Sequence, residues 1–244
     1  MFSIYKKELQ SFFYTPFAYS ITALFLLLFT YMFGSAIAGL ESTNTLVFSF
    51  TEIFYDNLFY FIFLLPILTM RTFADERKFG TEVLLMTSPV SVLKIVMAKF
   101  LANVTVFIFM IAGSVFFPIV TALNGTVVMS QLICAYIGFF SWGVMFIALG
   151  MLISSFTENS VIAAIVGEVV MFLFLFLDDF AYTAFISQFP KLQNFLLAFA
   201  AQSRFTYFSQ GFIRLSDIIF FISGTVVFLA WTYISIEKKR WNRG

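Results

Sequence analysis

Residues 100–157 read FLANVTVFIFMIAGSVFFPIVTALNGTVVMSQLICAYIGFFSWGVMFIALGMLISSFT and contain no Asp, Glu, Lys or Arg. A helix that crosses roughly 30 Å of hydrocarbon needs about 20 apolar residues, so this stretch is long enough for two crossings. Its strongest turn signal is the pair Asn124-Gly125, which divides it into two parts of helical length. We therefore predict membrane spans near Lys99 to Leu123 and near Gln131 to Ser154.

The composition of the whole chain agrees with a membrane location. Of the 244 residues, 61% are hydrophobic, 11% are charged and 38 are Phe. A soluble domain of this length has no interior large enough for so much apolar surface. The formal net charge is +1, so no basic excess points to a nucleic-acid partner. We predict an all-α membrane protein surrounded by lipid.

Several residue types that enzymes need are missing or rare. The chain has no His, which excludes HExxH zinc sites, Ser-His-Asp triads and histidine proton relays. Its one cysteine, Cys134, lies in an apolar run and is interpreted as a packing residue. No G-x-x-x-x-G-K-[ST] motif is present to bind nucleotide phosphates. We therefore expect no catalytic residue, metal or cofactor in this chain.

Four further apolar stretches are candidates for crossings. They fall near Phe17 to Ile37, Ile53 to Phe73, Ser160 to Leu177 and Ile218 to Ile236. Pro66 interrupts the second of these and predicts a kink, which packed neighbouring helices tolerate. The uncharged stretch from Leu9 to Leu40 is too long for the apolar core of a signal peptide, so we expect it to remain as a span.

The positions of Lys and Arg predict the orientation of six crossings. Eleven of them fall on one side: Lys6, Lys7, Arg71, Arg77, Lys78, Lys94, Lys99, Lys238, Lys239, Arg240 and Arg243. Only Lys191, Arg204 and Arg214 fall on the other side, within one long loop. Because cytoplasmic segments are enriched in Lys and Arg, both termini and the loop between spans two and three are predicted to be cytoplasmic.

We treat the chain as a single transmembrane domain, residues 1–244. Its predicted parts are an amphipathic interfacial helix at 1–16, spans one and two at 17–73, a cytoplasmic loop at 74–95, spans three to five at 96–177, an extracytoplasmic loop at 178–216, span six at 217–236 and a basic cytoplasmic tail at 237–244. Within the extracytoplasmic loop, Leu192 to Ala201 and Phe205 to Ile213 are apolar but too short to cross, which indicates re-entrant or interfacial helices.

The cytoplasmic loop contains the segment DERKFGTEVLLMTSPV, residues 75–90. Thr81 is a suitable cap for a short helix that Pro89 would end. Val83 to Met86 are too apolar for a connector in water, so this helix is expected either to fill a groove on a partner or to lie in the headgroup layer. The residues alone leave both alternatives open.

This loop resembles the coupling-helix loop of ABC type 2 (ABC-2) exporter permeases. The residues that carry the resemblance are Glu76, Arg77, Gly80, Thr81, Glu82, Leu84, Leu85, Pro89 and Val90. The resemblance implies docking into a cleft of a separate cytoplasmic ATPase, which supplies ATP and Mg²⁺ chemistry. It further implies a second permease subunit, identical or related, outward transport, and location in a bacterial cytoplasmic membrane.

Other segments resemble one branch of this family, the gliding-motility and copper-enzyme-maturation permeases. These residues, in chain order, are Lys7, Glu8, Leu9, Phe12, Phe13, Pro16, Phe17, Pro66, Thr69, Met70, Arg71, Ala74, Glu76, Lys99, Phe100, Gly150, Ser154, Ser155, Thr157, Asn159, Phe205, Phe208, Gly211, Ile213, Leu215 and Asp217. The ATPase-coupling residues implied for this chain are Asp75, Glu76, Arg77, Gly80, Thr81, Glu82, Leu84, Leu85, Met86 and Pro89.

Acidic residues in and beside the fifth predicted span are a second point of interest. Glu168 lies near the middle of that span, where a charge costs about 3 kcal/mol and calls for a partner, a cavity or a subunit interface. A contact along a transport conduit and a packed, hydrogen-bonded carboxyl are both compatible with this position. Asp178 and Asp179 follow the span and are interpreted as a solvated cap rather than a metal pair.

The sequence therefore favours a permease subunit driven by a separate ATPase. One alternative is an ion-coupled carrier in which Glu168 titrates, and another is a membrane scaffold of an envelope or motility machine. An intramembrane enzyme is disfavoured, because the chain has neither histidine nor a paired intramembrane acid. Cargo and choice of partner subunit do not follow from the residues.

Overall fold

The computed structural model describes residues 1–43, 47–48, 50–83, 90–124, 126–183 and 185–242. In chain order the elements are α1 (Phe2–Phe13), α2 (Phe17–Thr43), β1 (Val47–Phe48), α3 (Thr51–Thr69), α4 (Arg71–Lys78), α5 (Val92–Ser114), α6 (Phe116–Asn124), β2 (Thr126–Val127), α7 (Met129–Ser154), α8 (Ser160–Leu175), α9 (Leu177–Ala181), a 3₁₀ turn (Ile186–Gln188), α10 (Pro190–Phe199), α11 (Gln202–Ser209) and α12 (Leu215–Asn242).

Within these ranges, five helical segments are long and apolar enough to cross a membrane. They are Phe17–Gly39, Ile53–Lys78, Val92–Leu123, Met129–Ser154 and Leu215–Arg240. The chain is thus an all-α membrane protein that crosses the bilayer several times. The fifth predicted span corresponds to α8, which has 16 residues. At 1.5 Å per residue this helix is about 24 Å long, short of a standard crossing.

The two ends of α8 nevertheless lie at opposite ends of the bundle. It begins just after Ser155, whose carbonyl accepts hydrogen bonds from Arg77 and Lys239. It ends at Leu175, which lines a cavity together with Tyr55 from the start of α3. The count of six crossings stays a prediction, because α8 falls short of the usual length.

The core forms where α7 packs against α3, α5, α8 and α12. Glycines permit the closest approaches: Gly143 lies against the Phe107 ring, and Gly150 lies against Thr69. Buried aromatic rings fill the space between helices, for example Phe61, which meets Phe139 edge-on at 4.6 Å between ring centroids. Edge-to-face pairs of this kind stabilise beyond the burial of their area.

Local sequence explains several boundaries. Pro16 separates α1 from α2, and the Asn159 side chain accepts a hydrogen bond from the backbone N–H of Val161 to cap α8. Pro190 occupies the first turn of α10, where its missing N–H costs nothing. Gly211, at φ 87°, ends the turn after α11 in a conformation that favours glycine.

Three features differ from the sequence-based expectation. The third span begins at Val92 rather than near Lys99, and it is interrupted at Val115 before α6. Pro66 lies inside α3, whose helix ends three residues later at Thr69, so the predicted second span is divided between α3 and α4. A two-residue parallel pair joins β1 to β2, with Val47 opposite Thr126. A strand of two residues is too short to be recognised from the sequence.

Candidate functional site

The first half of the 75–90 loop is a helical root that carries the predicted acidic and basic residues. Asp75, Glu76 and Arg77 lie on α4, and Gly80 follows at φ 69°, a left-handed conformation that ends the helix. Thr81 Oγ1 donates a hydrogen bond to the Glu76 carbonyl at 3.3 Å. The predicted residues Leu84, Leu85, Met86 and Pro89 lie outside the described residues.

A buried lysine fixes this root to two other helices. Lys99 on α5 has 1% of its side chain exposed, and its Nζ lies 2.8 Å from Glu76 Oε1 and 2.9 Å from Glu8 Oε1. The same Nζ donates to the Thr72 carbonyl at 2.9 Å. We call Glu8, Thr72, Glu76 and Lys99 the Lys99 cluster. It joins α1, α4 and α5 at one charged atom.

The partners of Lys99 explain why a lysine can be buried there. An unpaired buried ammonium is costly, but two carboxylates and a carbonyl occupy its three donor directions. The Phe73 ring lies 5.4 Å from Nζ and covers the group from another side. One turn further along α5, the Asn103 amide donates to Thr72 Oγ1 at 3.2 Å. The junction is therefore held by several hydrogen bonds around a buried ammonium group.

A second junction ties the root to the other half of the bundle. Ser154 Oγ, at the end of α7, accepts the backbone N–H groups of Phe73 and Ala74 at 3.1 and 3.2 Å. It also donates to the Met70 carbonyl at 2.9 Å. These bonds occupy backbone groups where the chain turns from α3 into α4, so one hydroxyl fixes the angle between the two helices.

The neighbouring Ser155 carbonyl joins the loop to the last helix. It accepts a hydrogen bond from Arg77 Nη2 and another, at 2.7 Å, from Lys239 Nζ on α12. The Arg77 Nε lies 3.3 Å from Glu82 Oε1, and these side chains are 7% and 12% exposed. The serine hydroxyl contacts Ser235 on α12 at 3.3 Å. Loop, turn and last helix therefore meet at one point.

Among the described residues of the loop, the exposed ones lie beyond these junctions. We call residues 78–83 the tip; within it Phe79 has 71% and Val83 47% of the residue accessible, whereas Glu82 is largely covered. Lys78, Gly80 and Thr81 are exposed beside them. An exposed apolar ring at this position suits either a groove on a partner or the headgroup layer, the two alternatives that the sequence leaves open. Glu76, Arg77 and Glu82, by contrast, direct their side chains to partners inside the protein.

Glu168 is separate from the 75–90 loop. It lies half-buried on α8, next to Gly167, which packs against Pro66 of α3. Among the residues that the structure describes, its carboxyl has no hydrogen bond or ion pair. The surrounding α8 positions Ile165, Val169 and Phe172 are exposed and apolar. This face of α8 therefore presents one acid within an apolar surface.

Sequence reasoning missed the residues that hold the loop in place. Lys99 was assigned to the cytoplasmic charge excess, whereas the structure buries it in an ion-pair cluster. A signal was present, since Lys99 stands between Ala98 and Phe100 in an otherwise apolar run. No comparable signal marks Lys239, because it lies among other charged residues in a basic tail, where a solvated lysine is expected.

Comparison with known families shows which family the chain belongs to. A family described as ABC-2 family transporter protein matches residues 2–241. No curated protein matches the chain. The match includes α1, the 75–90 loop and almost all of α12, so it covers both junctions. The chain therefore belongs to the ABC-2 transporter family, as a multi-pass permease subunit of an ABC transporter.

Proposed function

We propose that the chain is the permease of an exporter that receives force from a separate ATPase through the 75–90 loop. One observation carries the proposal: the loop has an exposed apolar tip on a root that is bound to two groups of helices. In this proposal the chain crosses the membrane six times with both termini in the cytoplasm. The position of the two termini supports this topology. Glu8, near the amino terminus, and Lys239, near the carboxyl terminus, make their contacts at the same end of the bundle as Glu76 and Ser155.

The mechanism follows from the two junctions. The Lys99 cluster connects the root to α1 and α5, and Ser154 and Ser155 connect it to α7 and α12. When the ATPase binds ATP and moves the tip, both groups of helices receive the displacement. A packed bundle responds by passing between discrete arrangements rather than by bending continuously. ATP binding thus biases an equilibrium between two packings of the helices.

The internal contacts divide the coupling residues into two roles. Glu76, Arg77 and Glu82 hold the root and transmit movement, since their side chains bind within the protein. Phe79 and Val83 provide the docking surface, together with the predicted anchor Leu84, Leu85 and Met86 from the rest of the loop. A second permease subunit completes the transporter, and the apolar face of α8 around Glu168 is the surface proposed for this contact or for the conduit.

The docking role of the tip is tested with Phe79→Asp. This change places a charge on an exposed residue, so folding is unaffected while the apolar contact with the ATPase is lost. The affinity-tagged chain is purified in mild detergent from its native membranes, and the ABC ATPase subunit that accompanies it is quantified with its vanadate-sensitive ATP hydrolysis. We expect at least a tenfold loss of the ATPase subunit, the effect of losing one buried aromatic anchor.

Phe156→Asp is the matched control, because Phe156 is 65% exposed in the turn after α7 and lies outside the loop. It should retain the ATPase. Normal ATPase recovery with Phe79→Asp would contradict docking through the tip. Absence of any ABC ATPase from the wild-type preparation would instead favour the scaffold or the ion-coupled carrier.

The ion-coupled carrier remains a second candidate because Glu168 has no partner among the described residues. It requires transport without an ATPase and loss of that transport in Glu168→Gln. The permease requires that transport stop when vanadate is added, whatever residue stands at 168.

A further inference from the structure

A polar recess opens between α1, α4 and the start of α2, at the loop end of the bundle. Its volume is about 180 Å³, below the roughly 300 Å³ at which sites for drug-sized molecules begin. All four residues of the Lys99 cluster contribute to its wall. The recess therefore has room for a small polar group. Its charged lining residues are Lys7, Glu8, Arg71, Asp75, Glu76 and Lys99.

Three of these charged side chains are within reach of a molecule that enters the recess. Lys7 is exposed on α1. On α4, the Arg71 and Asp75 side chains are 50% and 32% exposed, and Arg71 Nε lies 4.0 Å from Asp75 Oδ2. The other three belong to the Lys99 cluster, whose lysine is 1% exposed and pairs with both carboxylates. The rim of the recess thus presents two cations and one anion.

An aromatic ring positions the Arg71 guanidinium at this rim. Its Cζ lies 4.4 Å from the centre of the Phe17 ring, at the first residue of α2. A guanidinium above a ring keeps its N–H groups in its own plane, where they donate outward. Pairs of N–H groups in one plane suit a phosphate, which accepts two hydrogen bonds from them. Lys7 adds a second cation, and the exposed Ser11 hydroxyl adds a neutral donor.

The balance of charge around the recess selects a zwitterion. The lining has three cations and three carboxylates, so a ligand without net charge preserves its neutrality. A phosphate alone would bind Lys7 and Arg71 but would be repelled by Asp75. A primary ammonium beside the phosphate donates hydrogen bonds and pairs with Asp75, whereas a choline group has no N–H to donate. Phosphoethanolamine therefore fits the recess best.

An apolar stripe of α2 leads away from the recess. Phe17, Leu24, Leu27 and Tyr31 recur at helical spacing, and the last three are 46%, 63% and 66% exposed. They belong to the membrane-spanning segment Phe17–Gly39. The stripe covers about 21 Å of helix, more than half of the roughly 30 Å hydrocarbon core. An acyl chain can lie along it while the headgroup occupies the recess, which favours a lipid over a soluble phosphate ester.

We propose that the recess binds the headgroup of phosphatidylethanolamine, with Lys7 and Arg71 on the phosphate and Asp75 on the ammonium. A lipid held there contacts both α1 and α4, so it bridges the first helix and the root of the 75–90 loop. Binding requires neither ATP nor a partner subunit. The proposal therefore goes beyond the proposed function, and its outcome is independent of ATPase recovery.

The test is native mass spectrometry of the purified full chain after delipidation in detergent. The lipid probes are phosphatidylethanolamine, phosphatidylcholine and phosphatidylglycerol with the same acyl chains, and the soluble probe is glycerophosphoethanolamine. We expect one phosphatidylethanolamine to bind about tenfold or more tightly than each other probe. Its failure to bind, or equal binding of either other lipid, would overturn the choice of headgroup. Equal binding of glycerophosphoethanolamine would overturn the lipid source.

Arg71→Gln and Lys7→Gln each remove a contact to the phosphate. Each should weaken phosphatidylethanolamine binding about tenfold or more, the value of one hydrogen bond to a charged group. Both side chains are exposed, so either variant is expected to fold, which gel filtration checks. Lys94→Gln is the matched control, because Lys94 is an exposed cation on α5, at the same end of the bundle and outside the lining. It should bind like wild type.

Asp75→Asn tests the selectivity of the recess. It should weaken phosphatidylethanolamine about tenfold, because the ammonium loses its carboxylate, and should leave phosphatidylglycerol equally or more tightly bound. Glu158→Gln, an exposed change in the turn after α7, should alter neither lipid. Equal losses for both lipids in Asp75→Asn, or unchanged phosphatidylethanolamine binding in the Arg71 and Lys7 variants, would overturn the proposal.

Discussion

The two ends of the bundle treat buried charge in opposite ways. At the loop end, Lys99 has a partner for each donor direction, and the Ser154 hydroxyl both accepts and donates. At the opposite end, Arg204 Nη1 lies 3.1 Å from Asp217 Oδ1, while Arg204 Nε and Asp217 Oδ2 make no hydrogen bond with any residue that the structure describes. The first arrangement joins three helices at one atom, whereas the second is a single ion pair between α11 and α12.

This difference indicates that the two ends contribute unequally to stability. A buried ammonium is tolerated where acceptors occupy its donor directions, as they do for Lys99. The Arg204–Asp217 pair leaves Arg204 Nε and Asp217 Oδ2 without a partner among the described residues, so we expect it to contribute less. Unfolding measurements on single variants separate the two ends.

Lys99→Met should have the largest effect. It removes the cation that pairs with both Glu8 and Glu76, which are 16% and 13% exposed. Breaking a buried pair by removing one partner costs about 3–5 kcal/mol. We expect a drop of that order in the free energy of unfolding, followed through tryptophan fluorescence in detergent. Lys94→Met is the matched control, because Lys94 is exposed on the same helix and should be silent. Equal losses of stability in both variants would show that Lys99 in its cluster contributes no more than an exposed lysine.

Gly150→Ala should have an intermediate effect. A Cβ at this position overlaps the Thr69 hydroxyl and approaches the Met171 methyl to 3.2 Å, where α7 passes α3 and α8. Overpacking of this kind costs about 1–3 kcal/mol. The same unfolding measurement applies, with Gly34→Ala as control, since nothing lies within 4 Å of a Cβ there. The Gly34 variant should be as stable as wild type or slightly more so, because Ala favours helix. A stable Gly150 variant would show that this helix contact is loose.

Asp178→Asn should have the smallest effect on stability. The carboxylate has one bond, to the Ser203 N–H, and an amide oxygen can replace it. We expect a change of less than about 0.5 kcal/mol in the free energy of unfolding. A loss as large as that of Lys99→Met would mean that Asp178 stabilises the fold as strongly as the Lys99 cluster, and the contrast between the two ends would disappear.

The sequence predicted the long helices well, and the reason lies in their length. In the stretch 100–157 the absence of charge over two helical lengths left few alternatives, and the structure places α5, α6 and α7 there. A helix, α1, is present where the amphipathic helix was predicted before span one, and its place at the membrane interface stays a prediction. Helices α10 and α11 overlap the half-length apolar pieces near 192–201 and 205–213, and their re-entrant or interfacial placement also stays a prediction. The length and the periodicity of an apolar stretch are local properties, so they can be recognised in a single sequence.

The contacts of the candidate site were not predictable in the same way. Lys99 and Glu8 are 91 positions apart, and nothing local indicates that they meet. The start of α5 was placed too late for the same reason: a lysine is normally a boundary in a membrane protein, and only its remote partners allow it inside. The ATPase-coupling residues of the loop stay a prediction, and Leu84, Leu85, Met86 and Pro89 lie outside the described residues.

The junction at Ser155 has a consequence for mutational scans. Its acceptor is a main-chain carbonyl, which every amino acid supplies, while the donors are the side chains of Arg77 and Lys239. A scan of single substitutions would therefore detect this junction at positions 77 and 239 and underestimate it at its centre. The tolerance measured at position 155 would reflect only the loss of a hydroxyl that bonds Leu152 and Ser235.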